Sequence, residues 1–265
     1  MKNVKLIAQN FDIYDNDNLH PFARTGDISL DHIYLAGAQG SILGHTEAGD
    51  STETVNKKIK TIINNENIKK ITDNFILHIV VGETWEEFKD KSHEEVGDIL
   101  YQKCKEIFKD IPIEVLKNLI IAYDPKWGTF GSGQKNISPP SPKLISTCIS
   151  KIRDFIQDNY KNINPFYVYG GRSTPERTLE ILKDNNIDGL LLGSACNTIE
   201  KTMDIINTIK KIKGINKKVV VCNFKAFIPG DPYENYIKEF KKLSENFFVY
   251  IAPSYTDLRL IKDLI

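Results

Sequence analysis

Apolar residues along this chain follow two alternating rhythms. Short continuous runs recur eight times: VKLIAQN (4–10), GSILGH (40–45), FILHIVVGE (75–83), NLIIAYDP (118–125), FYVYGG (166–171), DGLLLGS (188–194), VVVCNFK (219–225) and FFVYIAP (247–253). Between them lie longer stretches with apolar residues three or four apart, as in Leu144, Ile145, Cys148, Ile149, Ile152 and Ile156. That spacing lines one face of a helix. Strands that are apolar throughout are buried on both faces, so their alternation with helices predicts parallel strands covered by helices. Ser141-Pro142, Thr174-Pro175-Glu176 and Asp231-Pro232 each set a capping side chain before a proline suited to a first turn, and so mark helix starts. Eight such units in 265 residues match the size of a (β/α)8 barrel, read as one domain over 1–265. A doubly wound open sheet shares the alternation but rarely needs eight similar units.

Seven of the eight apolar runs close on polar or glycine groups: Gln9-Asn10, His45-Thr46-Glu47, Gly82-Glu83, Asp124, Gly170-Gly171, Gly193-Ser194, and Asn223 with Lys225. In a barrel these are the C-terminal strand ends, the face that carries catalysis. A single polar strand end signifies only solvation. Seven in register locate a site without naming its reaction.

Composition narrows the classes of partner. Thirty-five basic residues balance thirty-five acidic ones, which argues against a polyanion-binding surface and so against nucleic acid. No apolar run approaches the ~18 residues that would span a bilayer, so no membrane partner is expected. The opening MKNVKLIAQN has a short apolar patch and no cleavage-like segment, unlike a signal peptide. Cys104, Cys148, Cys196 and Cys222 are far apart and mostly in apolar surroundings. They read as buried free thiols in a reducing cytoplasm rather than a disulfide framework or a zinc site. The five histidines show no metal-ligand spacing, so no metal is expected.

The wording of the strand ends adds a resemblance. LGHTE (43–47), VVGETWEEFKDKSHEEV (80–96), AYDPKWGTFGSG (122–133), YGG (169–171), DGLLLGSA (188–195) and NFK (223–225) together resemble the triosephosphate isomerase family. LIAQN (6–10) followed by ARTGDIS (23–29) is similar to its third strand and the loop that reaches a partner subunit. Counted by this resemblance the strands run 3, 4, 5, 6, 7, 8, 1, 2. The chain therefore looks like a circularly permuted TIM barrel, with KIKGINKK (211–218) joining the usual last helix to the usual first strand. Permutation is tolerated where ends are exposed and close in space.

The resemblance implies an aldose–ketose isomerase acting on a small phosphorylated sugar, without a cofactor. It implies His45 as a neutral electrophile on the carbonyl oxygen and Asp124 as the base beside the carbon acid, under a water-excluding lid. Asn223 and Lys225 would complete the polarising shell, with Lys225 also balancing the substrate's charge. Glu47 would contact the lysine, with proton transfer and salt-bridge scaffolding equally open. Gly131 in the lid, Arg172 in the turn after YGG, and Gly193-Ser194 would hold the phosphate. The loop 11–29, through Thr25, would support a homodimer.

Several positions depart from the family pattern. Asp124 stands where the family has glutamate, which withdraws the carboxylate by about 1 Å. Arg172 replaces a serine, and Ser194 replaces a glycine. The lid at 125–136 is one residue longer than usual, the loop between Asn10 and Thr25 is longer, and the region after GHTE is shorter. A larger sugar phosphate, or a weakly active phosphate-binding barrel with a structural role, stays open on these grounds.

Overall fold

Eight strands form one parallel sheet in the order β1-β8-β7-β6-β5-β4-β3-β2 in a computed structural model that describes residues 3–13, 25–69, 74–128, 137–214 and 216–265. The strands are β1 (Val4–Leu6), β2 (Gly40–Leu43), β3 (Ile76–Val81), β4 (Leu119–Tyr123), β5 (Phe166–Tyr169), β6 (Gly189–Leu192), β7 (Lys218–Asn223) and β8 (Phe247–Ala252). Each lies within one of the eight apolar runs except β7, which starts one residue earlier at Lys218. Closure comes from an isolated bridge between Ala8 and Ser41, supported by the Ala8 amide on Gly40 O at 2.8 Å and the Ile42 amide on Ala8 O at 2.9 Å. β7 pairs between β6 and β8, and β8 pairs with β1, Val4 standing opposite Val249.

The strands read as continuously apolar because both faces are covered. Alternate residues such as Ile42, Ile76, Val80, Ile120, Val168, Leu191 and Val221 fill the barrel interior. Their neighbours Leu43, Leu77, Ile79, Val81 and Ile121 pack against the helices. An eight-stranded barrel is just wide enough for side chains to fill, so the interior is a core and the strand ends are the available surface.

The helical layer includes α1 (Leu30–Leu35), α2 (Thr52–Asn64), α3 (Glu66–Lys69), α4 (Trp85–Phe88), α5 (His93–Ile107), α6 (Pro142–Asn159), α7 (Pro175–Ile181), α8 (Ile199–Lys211), α9 (Tyr233–Phe240) and α10 (Leu258–Leu264). All six apolar residues singled out along α6 are buried. Two of the three expected starts form: Ser141 accepts from the Leu144 amide and Thr174 from the Arg177 amide. The third does not. Asp231 reaches across to the Ile199 amide at 2.9 Å, so it supports the start of α8, and α9 begins behind Pro232 with no side-chain cap. A carboxylate beside two helix starts satisfies the nearer orphan amide, and spacing cannot foretell which.

All four cysteines are free and buried. Among the described residues, no helix is long and apolar enough to cross a membrane, and no group of three or more His, Cys, Asp or Glu could hold a metal ion.

Candidate active site

Local backbone at the C-terminal strand ends aims four polar groups at one place. Asp124 follows β4, its amide donating to Val81 O at 2.9 Å, while the Lys126 amide donates to Glu83 O at 2.9 Å. The Asp124 segment is thus clamped to the end of β3 and to Glu83 just beyond it, on both sides of Pro125. Gly170 lies directly beside it, where a Cβ would stand 2.9 Å from Asp124 Cβ. Only glycine lets the carboxylate lie there.

Lys225 stands just beyond β7 with φ 54°, a left-handed backbone that a lysine does not adopt without support. Two side chains supply it. Asn223 Oδ1 accepts from the Lys225 amide at 3.0 Å, and Gln9 Nε2 donates to the Lys225 carbonyl at 2.6 Å. The lysine side chain then crosses Gly193, where a Cβ would meet its Cε at 2.8 Å, and its ammonium pairs with Glu47.

His45 is 8 % exposed. Its Nδ1 accepts from the Glu47 amide at 3.3 Å, so the neutral ring carries its proton on Nε2. That nitrogen faces Asp124 Oδ2 at 3.7 Å. Burial, aided by the Lys225 charge and opposed by Glu47, lowers His45 to about 4. Burial likewise pushes Asp124 up to about 8, with Glu47 and Glu83 adding to the effect and Lys225 opposing it. Both oxygens of Asp124 are buried, and among the described residues neither has a hydrogen-bond partner. At neutral pH the two groups are therefore not an ion pair. They are an uncharged N–H donor beside a carboxyl group poised to release or take a proton near neutrality.

His45, Glu47, Asp124, Arg172, Gly193, Ser194 and Lys225 all line one cavity of about 230 Å³. Asn223 does not line it. Its amide is turned to the Lys225 backbone, which makes it a support for the lysine. Gly131 lies outside the described residues. Thr25 is exposed, and the loop that carries it is tied at its stems by the Asp12 amide on Ile28 O and the Ile28 amide on Asp12 Oδ2, both at 2.7 Å. A larger hollow of about 730 Å³ lies alongside, between the segment after β2 and α5, but His45, Asp124 and Lys225 do not face it.

One contributor stood in the sequence only as a polar strand end with no role attached. Glu83 is fully buried and accepts from Tyr123 OH at 3.1 Å and from Trp127 Nε1 at 2.8 Å. It grips the residues on either side of the Asp124-Pro125 step, and burial raises its own carboxyl above the ordinary range. Its visible signal was a lone carboxylate closing an otherwise apolar run.

The Triosephosphate isomerase family model matches residues 1–209. The chain belongs to the triosephosphate isomerase family. It is 32% identical over 212 residues to the triosephosphate isomerase of Alkaliphilus oremlandii, covering 77% of each chain. It is 31% identical over 214 residues to that of Malacoplasma penetrans, covering 78% of this chain and 77% of the relative. To that of Wigglesworthia glossinidia brevipalpis it is 30% identical over 218 residues, covering 80% and 77%. Family membership gives the parallel barrel and its mouth a common explanation. A carboxyl group that ionises near neutrality, an uncharged N–H donor and an ammonium group facing one cavity suit proton abstraction beside a carbonyl.

Proposed function

We propose that this chain is a triosephosphate isomerase that interconverts glyceraldehyde 3-phosphate and dihydroxyacetone phosphate. Asp124 moves the proton between carbons, His45 Nε2–H polarises the carbonyl oxygen, and Lys225 balances the developing enediolate charge. Glu47 sets the lysine's position, and Asn223 fixes its backbone. Phosphate lies against Arg172, Gly193 and Ser194, with Gly131 completing the grip. The observation that carries this reading is the convergence of His45, Asp124 and Lys225, from three separate strand ends, on one cavity with His45 in its Nε2–H tautomer. The experiment is a coupled assay in both directions with the two triose phosphates, run beside four-carbon sugar phosphates. Turnover of the trioses that is lost in Lys225→Ala, with the fold intact by circular dichroism, is the expected result. Turnover confined to four-carbon compounds would overturn the substrate, and none at all would overturn the reaction.

The same reading extends to organisation. Residues 1–265 act as one barrel domain with permuted strand order. Support comes from the family match stopping at residue 209 while β7 and β8 fill the gap in the sheet between β6 and β1. The protein works in the cytoplasm as a homodimer through loop 11–29, consistent with the exposed Thr25 and the tied stems of that loop. A sedimentation mass near 30.2 kDa at micromolar concentration would overturn the dimer.

A further inference from the structure

The turn that carries Lys225 also brings an aromatic ring to the rim of the cavity. Phe227 lines the same cavity as His45, Asp124 and Lys225, and among the described lining residues it is the one aromatic. It is also 44 % exposed, so the ring stands at the rim and not in the floor.

Its backbone is firmly held. The Phe227 amide donates to Phe224 O at 3.1 Å, which closes the turn around Lys225. Phe224 is buried edge-on to Tyr233 and Tyr236, with ring centroids 5.2 Å away in each case. Tyr236 OH donates to Cys196 O at 3.1 Å, in the turn that opens with Gly193 and Ser194. On the other side of the ring, the Gly230 amide donates to Asn197 O at 2.8 Å. The segment bearing Phe227 is therefore fastened at both ends to the turn after β6, and its ring belongs to the Gly193-Ser194 end of the cavity.

An apolar wall at that end discriminates by length. With a triose phosphate in place, the reacting carbons lie by Asp124 and His45 and the dianion lies against Gly193 and Ser194. Each further carbon between them pushes the dianion outward, against a ring that offers it neither charge nor hydrogen bond. Placing an anion against such a surface costs hydration that nothing replaces. Specificity is a difference of affinities, so a penalty on the longer substrate serves as well as an attraction to the shorter one.

We infer that Phe227 sets the length of sugar phosphate the cavity accepts, by presenting an apolar wall to the dianion of any substrate longer than a triose. This rests on the triose phosphate reading of the same cavity. Ile228 is the matching control, being 92 % exposed and not among the lining residues.

The test compares kcat/KM for glyceraldehyde 3-phosphate and erythrose 4-phosphate in wild type, Phe227→Ala, Phe227→Leu and Ile228→Ala. Calorimetry with erythrose 4-phosphate and with inorganic phosphate reads binding apart from turnover. The four-carbon to three-carbon ratio should rise by about 10–100-fold in Phe227→Ala, the scale on which a pocket discriminates a single methylene. Phe227→Leu keeps a shorter apolar wall and should raise the ratio only a few-fold. Ile228→Ala should leave it within twofold. Affinity for erythrose 4-phosphate should gain more from Phe227→Ala than affinity for inorganic phosphate, which needs no added length. A folded Phe227→Ala that turns over the triose with the wild-type ratio would overturn the inference alone. So would an equal rise in Ile228→Ala, which would make the effect one of exposed apolar surface. A wild type that prefers the four-carbon compound would overturn the inference together with the triose assignment. A wild type that neither binds phosphate nor turns over either sugar would overturn the reaction as well.

Discussion

His45 at the barrel mouth and His78 within the barrel are both buried imidazoles, and burial lowers both, to about 4 and about 3. Their surroundings differ. His45 has the Glu47 amide on one nitrogen and turns the other to Asp124 and a cavity. His78 stands in register with Ile42 and Ile120, shares the inward face of β3 with Ile76 and Val80, and has no hydrogen-bond partner on either nitrogen among the described residues. A depressed histidine pKa therefore marks burial, not a site. The fixed tautomer and the open face beside it give the mouth imidazole its chemistry.

The largest expected effect tests the mouth. Asp124→Asn keeps the shape and removes the base, so kcat should fall by about 10²–10⁴-fold. A variant within threefold of wild type would show that proton transfer runs elsewhere. The same substitution has a signature in stability. An aspartate in the unfolded chain loses its proton near 3.8, while in the folded chain Asp124 keeps it to about 8. Between those values the unfolded state holds fewer protons, so this group makes wild-type stability decline as pH rises, and the decline should be absent in Asp124→Asn. Parallel denaturation curves at pH 5 and pH 8 for the two proteins would contradict this.

The pH profile of activity comes next. A base that ionises only near 8 leaves kcat/KM rising by about tenfold per pH unit between 6 and 8. A flat profile there would mean that Asp124 is already ionised in the free enzyme. Asp124→Glu restores the missing methylene, and triose phosphate turnover should rise by up to about 100-fold if the aspartate is simply a shortened base. A decrease would mean that its surroundings have been refitted around the aspartate. The smallest effect sharpens the contrast from the other side. His78→Leu removes two unpartnered polar atoms from an apolar layer, so stability should rise by about 1–2 kcal/mol with kcat within twofold. A large loss of activity would make the interior imidazole part of the site.

Much of this was legible in the sequence, because both faces of each strand are apolar and the strand ends share one side. FILHIVVGE and VVVCNFK locate β3 and β7 to within a few residues, and their closing polar groups lie at the mouth. Orientation was less legible. Asn223 turns to a backbone amide, Asp231 serves a neighbouring helix, and Glu83 joins Tyr123 to Trp127. The last two follow from contacts between segments distant in the chain, while the Asn223 contact spans two residues. A strand-end position fixes where a residue is, while its partners decide what it faces. His78 was hidden for the same reason, since one polar residue in an apolar run looks identical whether it faces the helices or the barrel interior.

The sheet has two seams of very different span. Ala8 meets Ser41 at one, while Val4 meets Val249 at the other. Loop closure grows logarithmically with chain length, so the second seam costs roughly 2 kcal/mol more entropy to zip. Non-local contacts of this kind slow folding. The first strand is then expected to wait, docked to β2 through Ala8, until the last strand arrives. In pulse-labelling exchange during refolding, the Ile7 amide, which donates to Ile251 O, should gain protection after amides within β7. Simultaneous protection would instead put the two chain ends in the folding nucleus.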